Sequence, residues 1–388
     1  MAQLKAGVIG AGILGTQHAT YLAKRGVQVA AIVDVRREAA ERLANQVGAQ
    51  AFTRYEEMLA TCKPDLVVVA TPDPLHRAPS VAALEAGVPN IIQEKPLATT
   101  LEDAEAIYNL VEQRRARFFV NYANRAAPMD IATCHVIREG LLGKVVYGES
   151  RLDDNISVPT QMWGNRTREW AGGSSTAHFL LSHVVDLLRW YFSPAEVREV
   201  YAISQREVLG YTPDVYDAYL TFDSGLKMRV KAEWIKHIDE LVEFYMCFSG
   251  SEGTLIYNKR GGFNTLPGWR ANLSARLTVE ELLAQREALA ARGATVRALV
   301  HQPSPTTGWL SAGGEKTTLS LEYQGLGYGD PEDLVGCFLE SIEQGTLTPP
   351  SWKGPGPLPT HEDGLRQTQI TCAIVESAQT GRVITIGT

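Results

Sequence analysis

Residues 5–34 read KAGVIGAGILGTQHATYLAKRGVQVAAIVD. KAGVI is a short strand-like run. ILGTQHATYLAKR spaces its apolar residues as a helix does, and VQVAAIVD is a strand again. Between the first strand and the helix stand Gly10, Ala11, Gly12, Ile13, Leu14 and Gly15. A lone G-x-G-x-x-G says little. This one follows a strand and opens a helix, and Asp34 ends the next strand about 20 residues on, which makes it a dinucleotide fingerprint. Gly10 permits the tight turn, and Gly15 permits close helix–strand packing. Gly12 lets the backbone approach a pyrophosphate, which a helix N-terminus attracts. Ile13 and Leu14 carry the same turn into the helix. Asp34 accepts hydrogen bonds from ribose hydroxyls and repels a 2′-phosphate, which favours NAD. Val35 and Arg36 extend that cofactor-facing set. Arg36 and Arg37 are placed to pair with such a phosphate, so NADP stays open.

The alternation continues outward. REAAERLANQV reads as a helix, DLVVVAT as a strand buried on both faces, RAPSVAALEAG as a helix, PNIIQ as a strand, LEDAEAIYNLVEQRR as a helix and RFFVNY as a strand. Strand–helix alternation with short links predicts a doubly wound parallel sheet. We place this dinucleotide-binding Rossmann domain at 1–125. After Pro128 the pattern changes. Helices MDIATCHVIREG and FLLSHVVDLLRWY are followed by strand runs VREVYAIS, VYDAYLTF, LKMRVKAEW, VEFYMCFSG and GTLIYN. Such a series predicts a second α/β domain, 126–388, on an open, mostly antiparallel sheet. Residues 262–325 look like an insertion around one helix, and two helices close the chain around a Pro/Gly loop at 349–359.

Composition narrows the function. The net charge of −7, with no basic run longer than two arginines, argues against nucleic acid as a partner. The five cysteines are scattered and never spaced C-x-x-C, which suggests free thiols in a reducing, cytoplasmic setting. No signal-peptide pattern and no long apolar run is present, so no membrane partner is expected. No H-E-x-x-H, His/Cys cluster or paired-carboxylate motif points to a metal, and no G-x-S-x-G points to a serine hydrolase.

The set G-x-G-x-x-G, ATPDPLH (70–76), EKP (94–96), VNYANR (120–125), GLLGKV (140–145) and SHVVDLLRW (182–190) resembles the glucose-fructose oxidoreductase / inositol dehydrogenase / rhizopine catabolism (Gfo/Idh/MocA) family. The closing EDGLRQTQITCAIVESAQTGRVITI is similar to that family's last helix and strand. The resemblance covers nearly the whole chain except about 255–330. EKP is specific in this setting; the glycine motif alone is not. The resemblance implies a Rossmann domain, a second domain with an open sheet, a nicotinamide cofactor, and oxidation or reduction at a sugar or cyclic-polyol carbon. It also implies a homodimer or homotetramer. We expect the partners to meet through an apolar second face of the strands VYDAYLTF, KMRVKAEW and VEFYMCF.

In that setting Lys95 would hold the reacting oxygen and take or relay its proton. Lysine in water titrates at about 10.4, so a base near neutrality needs help from burial and from a nearby cation. Glu94 would oppose that help if it paired with Lys95, so it is expected to point elsewhere, toward ribose hydroxyls or backbone. Thr71, Pro72 and His76, at the carboxyl edge of the sheet, are expected to border the cofactor, as are Tyr122 and Arg125; taken alone, His76 reads as a packing residue at a helix start.

The helix near residue 180 departs from the family pattern. The resemblance places an aspartate four residues before a histidine, both facing substrate. His183 fits the histidine, but the aspartate's position holds Phe179. On one continuous helix Phe179, His183, Asp186 and Trp190 share a stripe, and His178 lies about 100° away. His183 therefore acts with Lys95 alone or with a carboxylate such as Asp153 or Asp154, or the dehydrogenase chemistry has been lost. His178 enters the site only if the helix starts later. Asp153, Asp154 and Asn155 are candidates for binding hydroxyls. Trp163, Arg168 and Trp170 either wall a sugar ring or plug a loop. The leading reading is a sugar or polyol dehydrogenase. An NAD-dependent glycoside hydrolase that oxidises a ring carbon transiently and a non-catalytic NAD-binding sensor stand beside it.

Overall fold

The computed structural model describes residues 3–260, 268–273, 277–301, 318–324 and 332–387. Its backbone forms two compact units: Met1–Ala123 with Glu332–Trp352 and Pro357–Cys372, and Asn124–Pro331 with Lys353–Gly356 and Ala373–Thr388. The last third of the chain thus contributes to both units, and the second half is not one continuous body.

In the first unit β1 (Lys5–Ile9), α1 (Ile13–Lys24), β2 (Gln28–Val33), α2 (Arg37–Val47), β3 (Gln50–Phe52), α3 (Tyr55–Cys62), β4 (Leu66–Val69), α4 (Arg77–Glu85), β5 (Asn90–Glu94), α5 (Leu101–Arg114) and β6 (Arg117–Asn121) alternate. The six strands form a parallel sheet in the order β3-β2-β1-β4-β5-β6. The strand order reverses between β1 and β4, the switch point outside which ligands bind in open α/β sheets. β4 is buried at every position and so is β5, as expected for strands covered on both faces. The register aligns Ile9 with Val33 and Val69, and Glu94 with Asn121. Gly10, Asp34, Ala70, Lys95 and Tyr122 therefore all follow strand ends on one edge of this sheet.

The second unit begins with α6 (Pro128–Arg138), β7 (Val145–Asn155), α7 (Ser157–Gln161), α8 (Thr167–Gly173), α9 (Thr176–Phe179) and α10 (Leu181–Phe192). There follow β8 (Val197–Gln205), β9 (Val215–Phe222), β10 (Lys227–Lys236), β11 (Val242–Gly250), β12 (Gly253–Arg260), β13 (Gly268–Leu273), α11 (Val279–Ala291), β14 (Arg297–His301) and β15 (Thr318–Gln324). α12 (Glu332–Gln344) and the part of α13 (His361–Thr380) up to Cys372 belong to the first unit, and the end of α13 and β16 (Ile384–Thr385) to the second. The strands form a sheet in the order β14-β15-β13-β12-β11-β7-β10-β9-β8-β16. Within this sheet, only β7 and β10 pair in parallel among the described strands. This is the open, mostly antiparallel sheet expected. The stretch that looked like an insertion around one helix does hold that helix, α11, and also extends the sheet through β13, β15 and β14; residues 262–267, 274–276, 302–317 and 325 lie outside those described.

Two expectations need correction. The chain near residue 180 is not one helix: α9 ends at Phe179, and α10 starts at Leu181. The Ser175 hydroxyl caps α9, which fixes that turn locally. The stripe drawn from Phe179 through His183 therefore does not exist. Nor is the second sheet face apolar. The apolar residues of β10 (Met228, Val230, Ala232 and Trp234) all point into the core. The alternate positions carry ion pairs, Arg229–Asp217 at 2.6 Å and Arg151–Glu243 at 2.9 Å, beside the exposed Tyr147, Tyr201 and Tyr219. With a period of two, most apolar residues of these strands fall on the core face, while Tyr201, Ile203, Tyr219 and Ile256 stay exposed on the other.

Candidate active site

The first unit supplies a turn fit for a dinucleotide. Gly10 has φ +105°, and a Cβ there would lie 2.4 Å from the Ala70 carbonyl oxygen. A Cβ at Gly15 would lie 1.8 Å from the Gly10 oxygen. Packing alone demands both glycines. Gly12 is different: its φ is −80° and an added Cβ would meet nothing within 4 Å. The protein itself gives no reason for a glycine there, whereas close approach by a bound pyrophosphate does. Gly12 is the N-cap of α1 with no side-chain cap, which leaves the orphan N–H groups of this helix end for an anion. Ile13, Leu14, Val35 and Leu75 are exposed apolar residues around this edge.

Asp34 ties the turn to β2. Its carboxylate accepts from the Ala11 N–H at 3.0 Å, and from the Arg36 N–H at 2.9 Å and Nε at 3.1 Å. Burial pushes the Asp34 carboxyl up, but these hydrogen bonds and the Arg36 charge outweigh it and hold it below its ordinary range. Arg36 is thus engaged with Asp34.

Lys95 follows β5 and is buried. The Lys95–Pro96 peptide is cis. The turn that carries it is held from beneath. Gln93 donates to the Leu97 carbonyl at 2.9 Å and accepts from the Ser80 hydroxyl at 2.7 Å. His76 lies with Nδ1 2.7 Å from the Pro96 oxygen and Nε2 3.0 Å from the Thr71 oxygen. Burial pushes the His76 ring below its ordinary value, and a neutral ring donates to one of the two carbonyls. His76 therefore clamps the Thr71 loop to the Glu94–Leu97 turn. Pro72 is exposed beside Thr71.

Glu94 is engaged by two side chains. Its Oε1 accepts from His18 Nε2 at 2.6 Å and from Asn121 Nδ2 at 2.8 Å. Burial raises this carboxyl, but His18, Asn121 and the Lys95 charge together hold it below its ordinary range. Tyr122 is buried with its hydroxyl donating to Gln367 at 2.9 Å. That places it in the packing of this unit rather than on an open cofactor face.

The second unit gathers a different set. His183 opens α10, half-buried, with Nδ1 3.1 Å from Asn124 Nδ2. Asn124 Oδ1 accepts from Lys259 at 2.6 Å. Lys259 also pairs with Asp130, which accepts from the Tyr191 hydroxyl at 2.7 Å. Burial holds the Asp130 carboxyl above its ordinary range, though Lys259 and the Tyr191 and Tyr257 hydroxyls pull it down. Arg125 forms a buried bidentate pair with Asp186 at 3.0 and 2.6 Å, and its guanidinium lies 5.8 Å from the centre of the Trp190 ring. Arg125 and Asp186 are thus committed to the interior of this unit. His178 lies on α9, its Nδ1 2.9 Å from the Ser175 hydroxyl.

Phe179 sits among aromatic rings, 4.9 Å from Trp170 and 6.1 Å from Trp234. Trp170 is buried there and packs edge-on against Trp163, so it plugs the loop rather than walling a surface. Trp234 donates to Asp154 at 3.2 Å. Asp153 is buried with Lys231 at 3.0 Å, and burial pushes its carboxyl up to about 6. Asn155 is spent on the local turn, accepting from the Ser157 N–H and donating to the Ile238 carbonyl. Arg168 is exposed, stacked 4.7 Å over Tyr211.

Residues 4–122 match the family model described as an oxidoreductase family with an NAD-binding Rossmann fold, and residues 132–256 match the model of the GFO/IDH/MocA C-terminal domain. The chain belongs to the Gfo/Idh/MocA family. It is 31% identical over 221 residues to an inositol 2-dehydrogenase of Acidothermus cellulolyticus, covering 56% of this chain and 61% of that one. It is 31% identical over 203 residues to a levoglucosan dehydrogenase of Pseudarthrobacter phenanthrenivorans, covering 49% and 51%. The matched stretches thus span about half to three-fifths of these relatives. Among solved structures, a levoglucosan dehydrogenase in complex with NADH and levoglucosan superimposes with a TM-score of 0.73 at 20% identity over the full length of both chains, which is a likeness of fold.

Among the residues of these networks that escaped the sequence reading are His18, Gln93, Asn121, Asp130 and Lys259. Lys259 was within reach. On β12, Leu255, Tyr257 and Lys259 alternate on the buried face while Ile256 is exposed. A lysine in the inward register of a strand marks a buried charge with a partner. His18, Asn121 and Asp130 gave no such signal, because their partners are distant in sequence.

Proposed function

We propose that this protein is an NAD-dependent dehydrogenase of a sugar, sugar derivative or cyclic polyol. The observation that carries the reading is Lys95: a buried lysine on the ligand-binding edge of the Rossmann sheet, beside a carboxylate already engaged by His18 and Asn121. Gly10, Gly12, Gly15 and the start of α1 would hold the pyrophosphate, and Asp34 the adenosine ribose. Bound NAD supplies the hydride acceptor. As the carbinol C–H gives up hydride and the carbonyl forms, Lys95 takes the hydroxyl proton. His183 is the second polar group assigned to the reaction. Names of related proteins, inositol 2-dehydrogenase and levoglucosan dehydrogenase, support a cyclic polyhydroxy substrate.

The test is NADH formation from NAD over a panel of inositols, levoglucosan, aldoses and uronic acids. One substrate that drives stoichiometric NADH supports the reading. Cleavage of a glycoside with no net NADH would assign the protein to the hydrolase chemistry instead, and tight NAD binding with no turnover would make it a sensor.

We also propose a homo-oligomer assembled through the exposed sheet face of the second unit, where tyrosines and arginines, residue types enriched at interfaces, lie together. Sizing at micromolar concentration should give a dimer or tetramer that Tyr219→Asp weakens; a monomeric wild type would end this proposal.

A further inference from the structure

The chain Lys259–Asn124–His183 sets which ring nitrogen of His183 carries the proton. A lysine ammonium has donors and no acceptor. Whatever Asn124 turns toward Lys259 must therefore be its oxygen, and Oδ1 lies 2.6 Å from Nζ. The amide NH2 is then forced to the other side, 3.1 Å from His183 Nδ1. An NH2 group only donates. Nδ1 must accept, and a neutral ring then carries its proton on Nε2. Lys259 is 1% exposed and buried with its counter-charge Asp130, itself fixed by Tyr191, so the start of the relay is anchored. An amide orientation is ordinarily a matter of assignment; here the cation decides it.

We propose that Lys259 is a positioning residue which, through Asn124, holds His183 as the Nε2–H tautomer, so that His183 offers substrate a hydrogen-bond donor and not a base. The role toward substrate rests on the dehydrogenase reading. The tautomer does not rest on it. Lys259 also lies beyond residue 256, where the match to the C-terminal family model ends.

The decisive variant is Asn124→Asp. It keeps the Lys259–Asp130 pair, so the buried charge retains its partner. One carboxylate oxygen still accepts from Lys259, and the other now faces Nδ1 as an acceptor. The ring should invert to Nδ1–H. The measurement is nitrogen NMR of 15N-histidine-labelled full-length protein, at a pH where the ring is neutral, with the His183 signal identified by its loss in His183→Gln. In wild type the one-bond N–H coupling should fall on Nε2; in Asn124→Asp it should move to Nδ1. Wild type with the proton on Nδ1, or an Asn124→Asp spectrum that keeps it on Nε2, overturns the proposal. Neither result depends on turnover, so a protein that proves inactive leaves the test intact, and a wrong tautomer leaves the dehydrogenase reading standing.

Discussion

Glu94 and His18 meet at 2.6 Å, both buried, across 76 positions of sequence. The contact joins the helix of the glycine-rich turn to the strand that delivers Lys95. It answers what a glutamate does next to the lysine proposed for proton transfer: it is held by a histidine and an asparagine. The fold thereby links the anion-binding turn and the lysine turn in one hydrogen-bonded unit.

This pair has a pH signature. Burial raises the Glu94 carboxyl, but His18, Asn121 and the Lys95 charge hold it below its ordinary range in the folded protein. A depressed carboxylate stabilises the fold above the unfolded value, and that stability is lost as pH falls through the folded one. Glu94→Gln should therefore be less stable than wild type at pH 7, by about 1–3 kcal/mol for a disturbed buried hydrogen bond. The gap should narrow as the pH drops below about 4.5. Urea midpoints at neutral and acid pH measure it; a gap that does not change with pH would show that the carboxylate's charge contributes nothing.

The two buried faces of the glycine motif separate by what each glycine serves. Gly15→Ala should destabilise the chain markedly, since its Cβ would fall 1.8 Å from the Gly10 oxygen. Gly12→Ala should change stability by less than about 1 kcal/mol, as expected for an uncrowded site, while NAD affinity falls at least about tenfold, or 1.4 kcal/mol. Calorimetric titration with NAD beside thermal melting distinguishes them. Unchanged affinity in Gly12→Ala would remove the pyrophosphate from this turn.

Asp34 and Arg36 set the cofactor preference together. With Arg36 bonded to Asp34 at 3.1 Å, Asp34→Ala should both remove the repulsion against a 2′-phosphate and release the arginine to bind it. NAD should bind more tightly than NADP in wild type, and the variant should lose or reverse that order. Tighter NADP binding in wild type would contradict the role given to Asp34.

The Rossmann unit was legible because its signals are local: apolar period, glycine spacing, and an acidic residue at the end of β2. EKP was equally plain. The second unit was read as a class and not as a site. The start of α9 is set by the Ser175 cap, and Phe179 at its end packs on Trp170 and Trp234; the apolar run FLLSHVV carries no sign of the break at Leu180. Arg125, Tyr122 and Asn155 look like binding residues in sequence because they are polar or amphipathic. Their partners, Asp186, Gln367 and the Ile238 carbonyl, are fixed only by the fold.

The most direct test of the whole account is Lys95→Ala, assayed on a substrate that yields NADH with wild type. NAD affinity should stay within a few-fold, because the lysine is not asked to hold the cofactor. Turnover should fall by about 10²–10⁴, the usual contribution of a general acid–base group. If the variant turns over at close to the wild-type rate, Lys95 is a structural lysine, and the chemistry assigned to this edge of the sheet is wrong.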